Sequence, residues 1–268
     1  MNPLEREMVD VLVDLKQHHH AISVKAEFES EGAHLDEVLR LKEIVSQVGL
    51  GFTLTIGGCE ALYDLHQVRL IGASRIVGPM IESPYALKKF LSSVCRVFSG
   101  DEREHIMTWI NIETIDACNA FDRMLALPEI NQLSGIVMGR VDLLGSLGLG
   151  SHLINSHEIL HLARKLFTKA KENSLKCGIG GGMTTQALPF MREIGADLLD
   201  HYETSKVLFK CPGALGQGAE LGIAKALGFE LLWLKNKRDY YRAMSIADDQ
   251  RIQKMESRHK AAIEAARI

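Results

Sequence analysis

The sequence predicts an α/β fold: a (β/α)8 barrel with an N-terminal helix and a long C-terminal helical tail. Three observations carry that expectation. Short apolar runs alternate with amphipathic segments through the middle of the chain, the pattern of βαβ units and a parallel sheet. Gly49, Gly72 and Gly195 stand where helices would end ahead of the next run. No Gly-rich phosphate fingerprint follows the first run, which counts against the second candidate, an open doubly wound sheet. The 268 residues suit one TIM-barrel domain over 1–268, with the barrel at about 21–212 and the tail at about 213–268.

The elements follow in order. Residues 3–17 read as a helix, because Leu4, Met8, Val11, Leu12 and Leu15 recur at helical spacing. His18 to His20 suit a polar helix end, with a tag scar or a metal site as alternatives. Strand-like runs lie at 21–27, 51–56, 75–80, 105–112, 134–139, 175–180 and 197–201. An eighth falls before residue 21 or in 205–210. Helix-like runs lie at 35–48, 59–71, 84–98, 115–127, 156–173 and 184–194. "GIGGG" at 178–182 reads either as a tight βα turn or as a set of backbone amides that hold an anion. From 214 onward the tail is apolar at first (Leu221, Ile223, Leu227, Leu231) and then charged. It either packs under the barrel or reaches a neighbouring subunit.

Composition narrows the function. The chain is 46% hydrophobic and 24% charged, ordinary for a globular protein, and its net charge of −3 gives no basic field for nucleic acid. Five cysteines without a CxxC pair exclude a zinc knuckle or thioredoxin-type motif and fit a reducing, cytoplasmic setting. No signal-peptide h-region and no apolar run of about 18 residues is present, so no membrane partner is expected.

In a barrel the chemistry comes from the C-terminal ends of strands. That rule selects Glu27, Glu29 and Glu31 after the first run, Glu82 after the third and Glu113 after the fourth. Arg140 and Asp142 follow the fifth, and Asp200, His201 and Glu203 the seventh. Acids dominate, and a ring of carboxylates repels itself unless a cation offsets it; oxygen donors suit Mg2+ or Mn2+. The bland alternative is helix capping, expected for Asp36 and Asp116. Glu113 and Glu82 fit capping less well, since Thr114 and Ser83 beside them make better caps.

"INIETIDACNAFDRMLALPEINQLSGIVMGRVDLLGSLG" and "GASRIVGPMIESPYALKKF" resemble the HpcH/HpaI aldolase and citrate lyase beta family of the phosphoenolpyruvate/pyruvate barrel superfamily, over about residues 21–210. The resemblance implies a metal-dependent carbon–carbon lyase or aldolase. Its small-molecule substrate would be pyruvate, oxaloacetate or a similar 2-oxo acid, cleaved or condensed through an enolate. It implies Mg2+ or Mn2+ on Glu113 and Asp142, backbone amides near Gly139 and Arg140 on the substrate carboxylate, and a homo-oligomer, trimer or hexamer, that exchanges its last helix. Glu82 is a further substrate-binding candidate. The sequence departs from the aldolase branch twice: "TLTIGG" lacks the strand-end Arg, and "KAEFESEGAHLDE" lacks the acid–His pair. Lys25 and Arg140 are the candidate replacement cations, and Glu29 or Glu31 the candidate for the acid, with Glu29 the catalytic choice; an ion pair with a strand-end Glu is the bland alternative for Arg140. Two other readings stay open: a Schiff-base aldolase using Lys25 or Lys206, and a non-catalytic barrel that binds a metabolite.

Overall fold

The computed structural model describes residues 1–266. Helix α1 (Pro3–His18) opens the chain with Asn2 and Glu5 in a reciprocal capping box. The barrel then runs β1 (Ala21–Glu27), α2 (Leu35–Val48), β2 (Gly51–Thr55), α3 (Leu62–Ile71), β3 (Arg75–Gly78), α4 (Pro84–Val97), α5 (Asp101–His105), β4 (Met107–Ile112) and α6 (Ile115–Leu125). It continues through β5 (Gly135–Gly139), α7 (Arg140–Ser146), α8 (His157–Glu172), β6 (Lys176–Gly180), α9 (Leu188–Ile194), β7 (His201–Glu203) and β8 (Val207–Lys210), and ends in α10 (Ala219–Ala265). The eight strands close into one barrel in sequence order.

Seven strands are parallel. β8 is antiparallel to both β7 and β1, because a hairpin through Thr204–Lys206 replaces the expected crossover helix. Two expected boundaries also change. The seventh strand is His201–Glu203, not 197–201. Its inward residues are His201 and Glu203, so the apolar stretch Leu198–Leu199 before it was a misleading marker of strand. Asp36 and Asp116 are not caps: His34 and Thr114 hold those positions, and both acids lie inside the first turn. Thr114 and Ser83 accept the N–H groups of Ala117 and Ala86. The short helices α5 and α7 were not expected, being too brief for periodicity to show.

The main apolar core lies between the strands and the helix ring. The lumen is different. It holds a small apolar cluster of Val77, Trp109 and Val137 with Met107, and around it Ser23, Lys25, Glu27, Thr53, Arg75, His201 and Glu203. The register explains how such large side chains fit. A Cβ on Gly135 would sit 2.6 Å from the Trp109 ring, one on Gly178 2.2 Å from the His201 ring and one on Gly180 3.0 Å from Glu203. The glycines of β5 and β6 thus make one side of the wall thin enough for the bulky side chains of β4 and β7. This is the first use of the glycines in "GIGGG".

The His18–His20 triplet ends α1: His19 is the C-cap, buried against Gly222 and beside Lys225. Helix α10 packs along α1, with Lys225 on Asp14 and Asn236 on Asn2. Past Lys237 it is exposed apart from the half-buried Tyr241, and Met244, Ile252, Met255 and Ile263 are open to solvent. Residues 267–268 of the expected tail lie outside the described residues. No described helix is long and apolar enough to cross a membrane.

Candidate active site

A cavity of about 510 Å³ opens at the C-terminal ends of the parallel strands. Lys25, Glu29, Glu113, Gly139 and Asp142 line it, with Glu27, Glu31 and Glu203. A larger cavity of about 650 Å³ lies outside the barrel, between the starts of α1 and α2 and the middle of α10. The mouth cavity is the one that collects strand-end acids, where barrel chemistry is built.

Glu113 follows directly on β4 and is 6% exposed. One carboxylate oxygen accepts the Met80 N–H at 2.8 Å and the other accepts Asn111 Nδ2 at 3.1 Å. Met80 aims that amide from a left-handed conformation, φ 49°, which is costly for a residue with a Cβ. Gly139 leaves room for the carboxylate, since a Cβ there would sit 2.6 Å from it. Burial pushes the Glu113 pKa up from 4.5 to about 7; the two hydrogen bonds oppose the rise, and Asp142 and Glu29 add to it. Asp142 lies in the first turn of α7, exposed at the cavity edge. Among the described residues neither carboxylate has a cationic partner.

Lys25 rises from β1 between Glu27 at 2.8 Å and Glu203 at 2.7 Å. Burial lowers its pKa, but the two carboxylates outweigh that and hold it above the usual lysine value. Below it, Arg75 stacks on Trp109 at 4.3 Å and approaches His201 Nε2 at 3.4 Å. Burial, then Arg75 and Lys25, keep His201 neutral by pushing its pKa down. Arg75, Lys25 and Glu203 face one another across the lumen, and strand-run reading missed Arg75 because it sits at the start of β3, far from the strand end. Glu29 is exposed at the rim and bonded to no side chain among the described residues; burial, then Glu27 and Asp142, raise its pKa.

Two sequence candidates lie elsewhere. Glu82 is exposed outside the cavity, where it accepts the Thr114 hydroxyl at 2.8 Å and so belongs to the capping of α6. Arg140 is fully buried and does not face the cavity. Nor does it pair with a strand-end Glu. Its guanidinium donates to Gly180 O at 3.1 Å, Gly181 O at 2.7 Å and Asn155 Oδ1 at 2.7 Å, over the Phe190 ring. Burial alone lowers its pKa to about 10, so it stays charged at neutral pH. Lys206, the other candidate nucleophile, is buried against Glu31.

No family model and no curated protein matches the sequence. Solved structures do. The HpcH/HpaI aldolase from Desulfitobacterium hafniense DCB-2 superposes with a TM-score of 0.58 at 15% identity, covering 84% of this chain and 88% of that one. The fold is shared. An HpcH/HpaI aldolase/citrate lyase family protein from Burkholderia cenocepacia J2315 gives 0.57 at 15% identity, covering 76% and 93%. Citrate synthase SbnG gives 0.57 at 14% identity, covering 87% and 90%. At these identities the likeness establishes the barrel architecture; the chemistry has to come from the cavity.

Donor chemistry tests the metal expectation. Among the described residues no three His, Cys, Asp or Glu side chains are grouped to hold an ion. Glu113 and Asp142 instead offer two unpaired carboxylates in one cavity. That fits a hard divalent cation that keeps water and substrate oxygens as its other ligands, and does not fit zinc in a closed site.

Proposed function

We propose that the protein is a carbon–carbon lyase or aldolase that uses Mg2+ or Mn2+ to act on pyruvate, oxaloacetate or a similar 2-oxo acid. The observation that carries this reading is Glu113: a buried carboxylate, held by a strained amide and repelled by Asp142, with no cation of its own. Glu113 and Asp142 would hold the metal, which when bound supplies a Lewis acid for the carbonyl and carboxylate oxygens of the oxo acid. The fold shared with the aldolase and citrate synthase barrels supports the same class.

The chain's own residues do the rest. Two of the three N–H donors of Lys25 are taken by Glu27 and Glu203, and the third is free for the oxygen on which negative charge develops. Glu29 moves the proton at the carbon next to the carbonyl, since Glu27, Glu31 and Glu203 are engaged by lysines and it is not. A Schiff base on Lys25 is disfavoured, because its two carboxylates keep the amine protonated. The exposed apolar residues of α10 support assembly into a homo-oligomer.

Proton exchange at pyruvate C3, followed by NMR in deuterated buffer, tests the reading. Exchange that needs Mg2+ or Mn2+ and disappears in Glu113→Gln and Asp142→Asn is expected. Metal-independent exchange would move the assignment to Schiff-base chemistry. Metal binding without exchange or turnover on any oxo acid would leave a binding barrel.

A further inference from the structure

The turn that follows β6 has a feature the proposed reaction does not use. Gly181 and Gly182 both adopt left-handed conformations, φ 82° and 57°, and with Met183 and Thr184 they line the mouth cavity. The amides of Gly181, Gly182 and Met183 donate to no group among the described residues. Successive free amides in such a turn form a concavity that suits an anion.

Arg140 fixes which way those amides face. It binds the carbonyls of Gly180 and Gly181 from inside the wall. In a trans peptide the N–H lies opposite the C=O, so the N–H groups of Gly181 and Gly182 are turned away from the guanidinium. All three of the side chain's oxygen partners are neutral, and it is fully buried. A buried charge without a counter-ion is costly, and an anion across the turn would offset it. Glu203, which packs against Gly180 beside the turn, is already paired with Lys25 and so does not bar an incoming anion.

We propose that the Gly181–Met183 turn, pinned from behind by Arg140, is an oxoanion subsite that grips a carboxylate or phosphoryl group of the substrate. Arg140 is a positioning residue here: it acts through the peptide planes and touches no ligand. The identity of the anion as substrate rests on the proposed reaction; the binding itself does not.

The test is an amide-resolved NMR titration of the full chain in EDTA, with inorganic phosphate in one arm and pyruvate in the other, at matched ionic strength. Saturable shifts of the Gly181, Gly182 and Met183 amides at millimolar anion are expected in at least one arm, and the arm that responds names the chemistry. Folded Arg140→Met should bind that anion at least tenfold more weakly. Unshifted amides in both arms, or an unchanged affinity in folded Arg140→Met, would overturn the proposal. If Arg140→Met does not fold, the titration of the unaltered protein decides alone. Because metal is absent throughout, a failed metal assignment leaves this result standing, and the reverse also holds.

Discussion

Replacing Glu113 with Gln should make the metal-free protein more stable in mild alkali while removing metal binding. The free carboxyl has a pKa of about 7 in the folded chain against an ordinary 4.5. Each tenfold difference in proton affinity is worth about 1.4 kcal/mol, so ionising Glu113 in the fold costs about 3 kcal/mol relative to the unfolded chain. The sign follows from the raised value: the stability given by the protonated form is present below pH 4.5 and is lost as pH rises through 7. A neutral amide has no such loss. It does forfeit one of the two accepted hydrogen bonds, which offsets about 1 kcal/mol. Urea denaturation in EDTA should therefore show Glu113→Gln about 2 kcal/mol more stable than the unaltered protein at pH 8, and equal or less stable at pH 5. A variant that is less stable at pH 8, or a difference that does not change with pH, would refute the account of Glu113 as a carboxylate held in wait for a cation.

Other expectations concern the lumen and the tail. Lys25→Met removes the one cation in direct contact with both Glu27 and Glu203, leaving them only the more distant Arg75 and Lys206, and should cost about 3–5 kcal/mol in urea denaturation; a loss under about 1 kcal/mol would show that those cations or water take its place. Gly178→Ala puts a methyl group 2.2 Å from a buried imidazole and should destabilise by about 3 kcal/mol or more, with most of the loss restored when His201→Ala is added; no restoration would place the strain elsewhere. Truncation after Tyr241 removes only exposed described residues, so the denaturation midpoint should hold within about 0.5 kcal/mol, while light scattering shows a smaller assembly. An assembly of unchanged mass would mean that the tail does not join subunits.

How much of this could be read from the residues depends on what each side chain faces. The strands that back onto helices carry apolar outward positions, so β1 to β6 were visible as runs. β7 was displaced because its three residues turn His201 and Glu203 inward, and a polar lumen has no hydrophobic signal. Glu113 and Asp142 were legible from the strand-end rule together with the family resemblance. Arg140 was misplaced for a different reason. Its position beside Asp142 suggests a catalytic cation, but direction cannot be read from spacing: the side chain turns back into the wall, towards carbonyls that only the folded turn supplies. The glycines of β5 and β6 fall inside the strand-like runs, but their use as clearance for Trp109, His201 and Glu203 needs the strand register.

The reversed eighth strand decides where the tail goes. A parallel β8 would have ended at the rim and sent its helix down the outside. Running the other way, β8 leaves the chain at the foot of the barrel, and α10 climbs beside α1 until Asn236 meets Asn2, level with the start of α2, where Lys237 holds Glu37. The remaining 28 described positions of the helix, at 1.5 Å each, carry it about 40 Å further. That arm therefore projects past the level of the barrel's mouth, on the side where α1 and α2 begin.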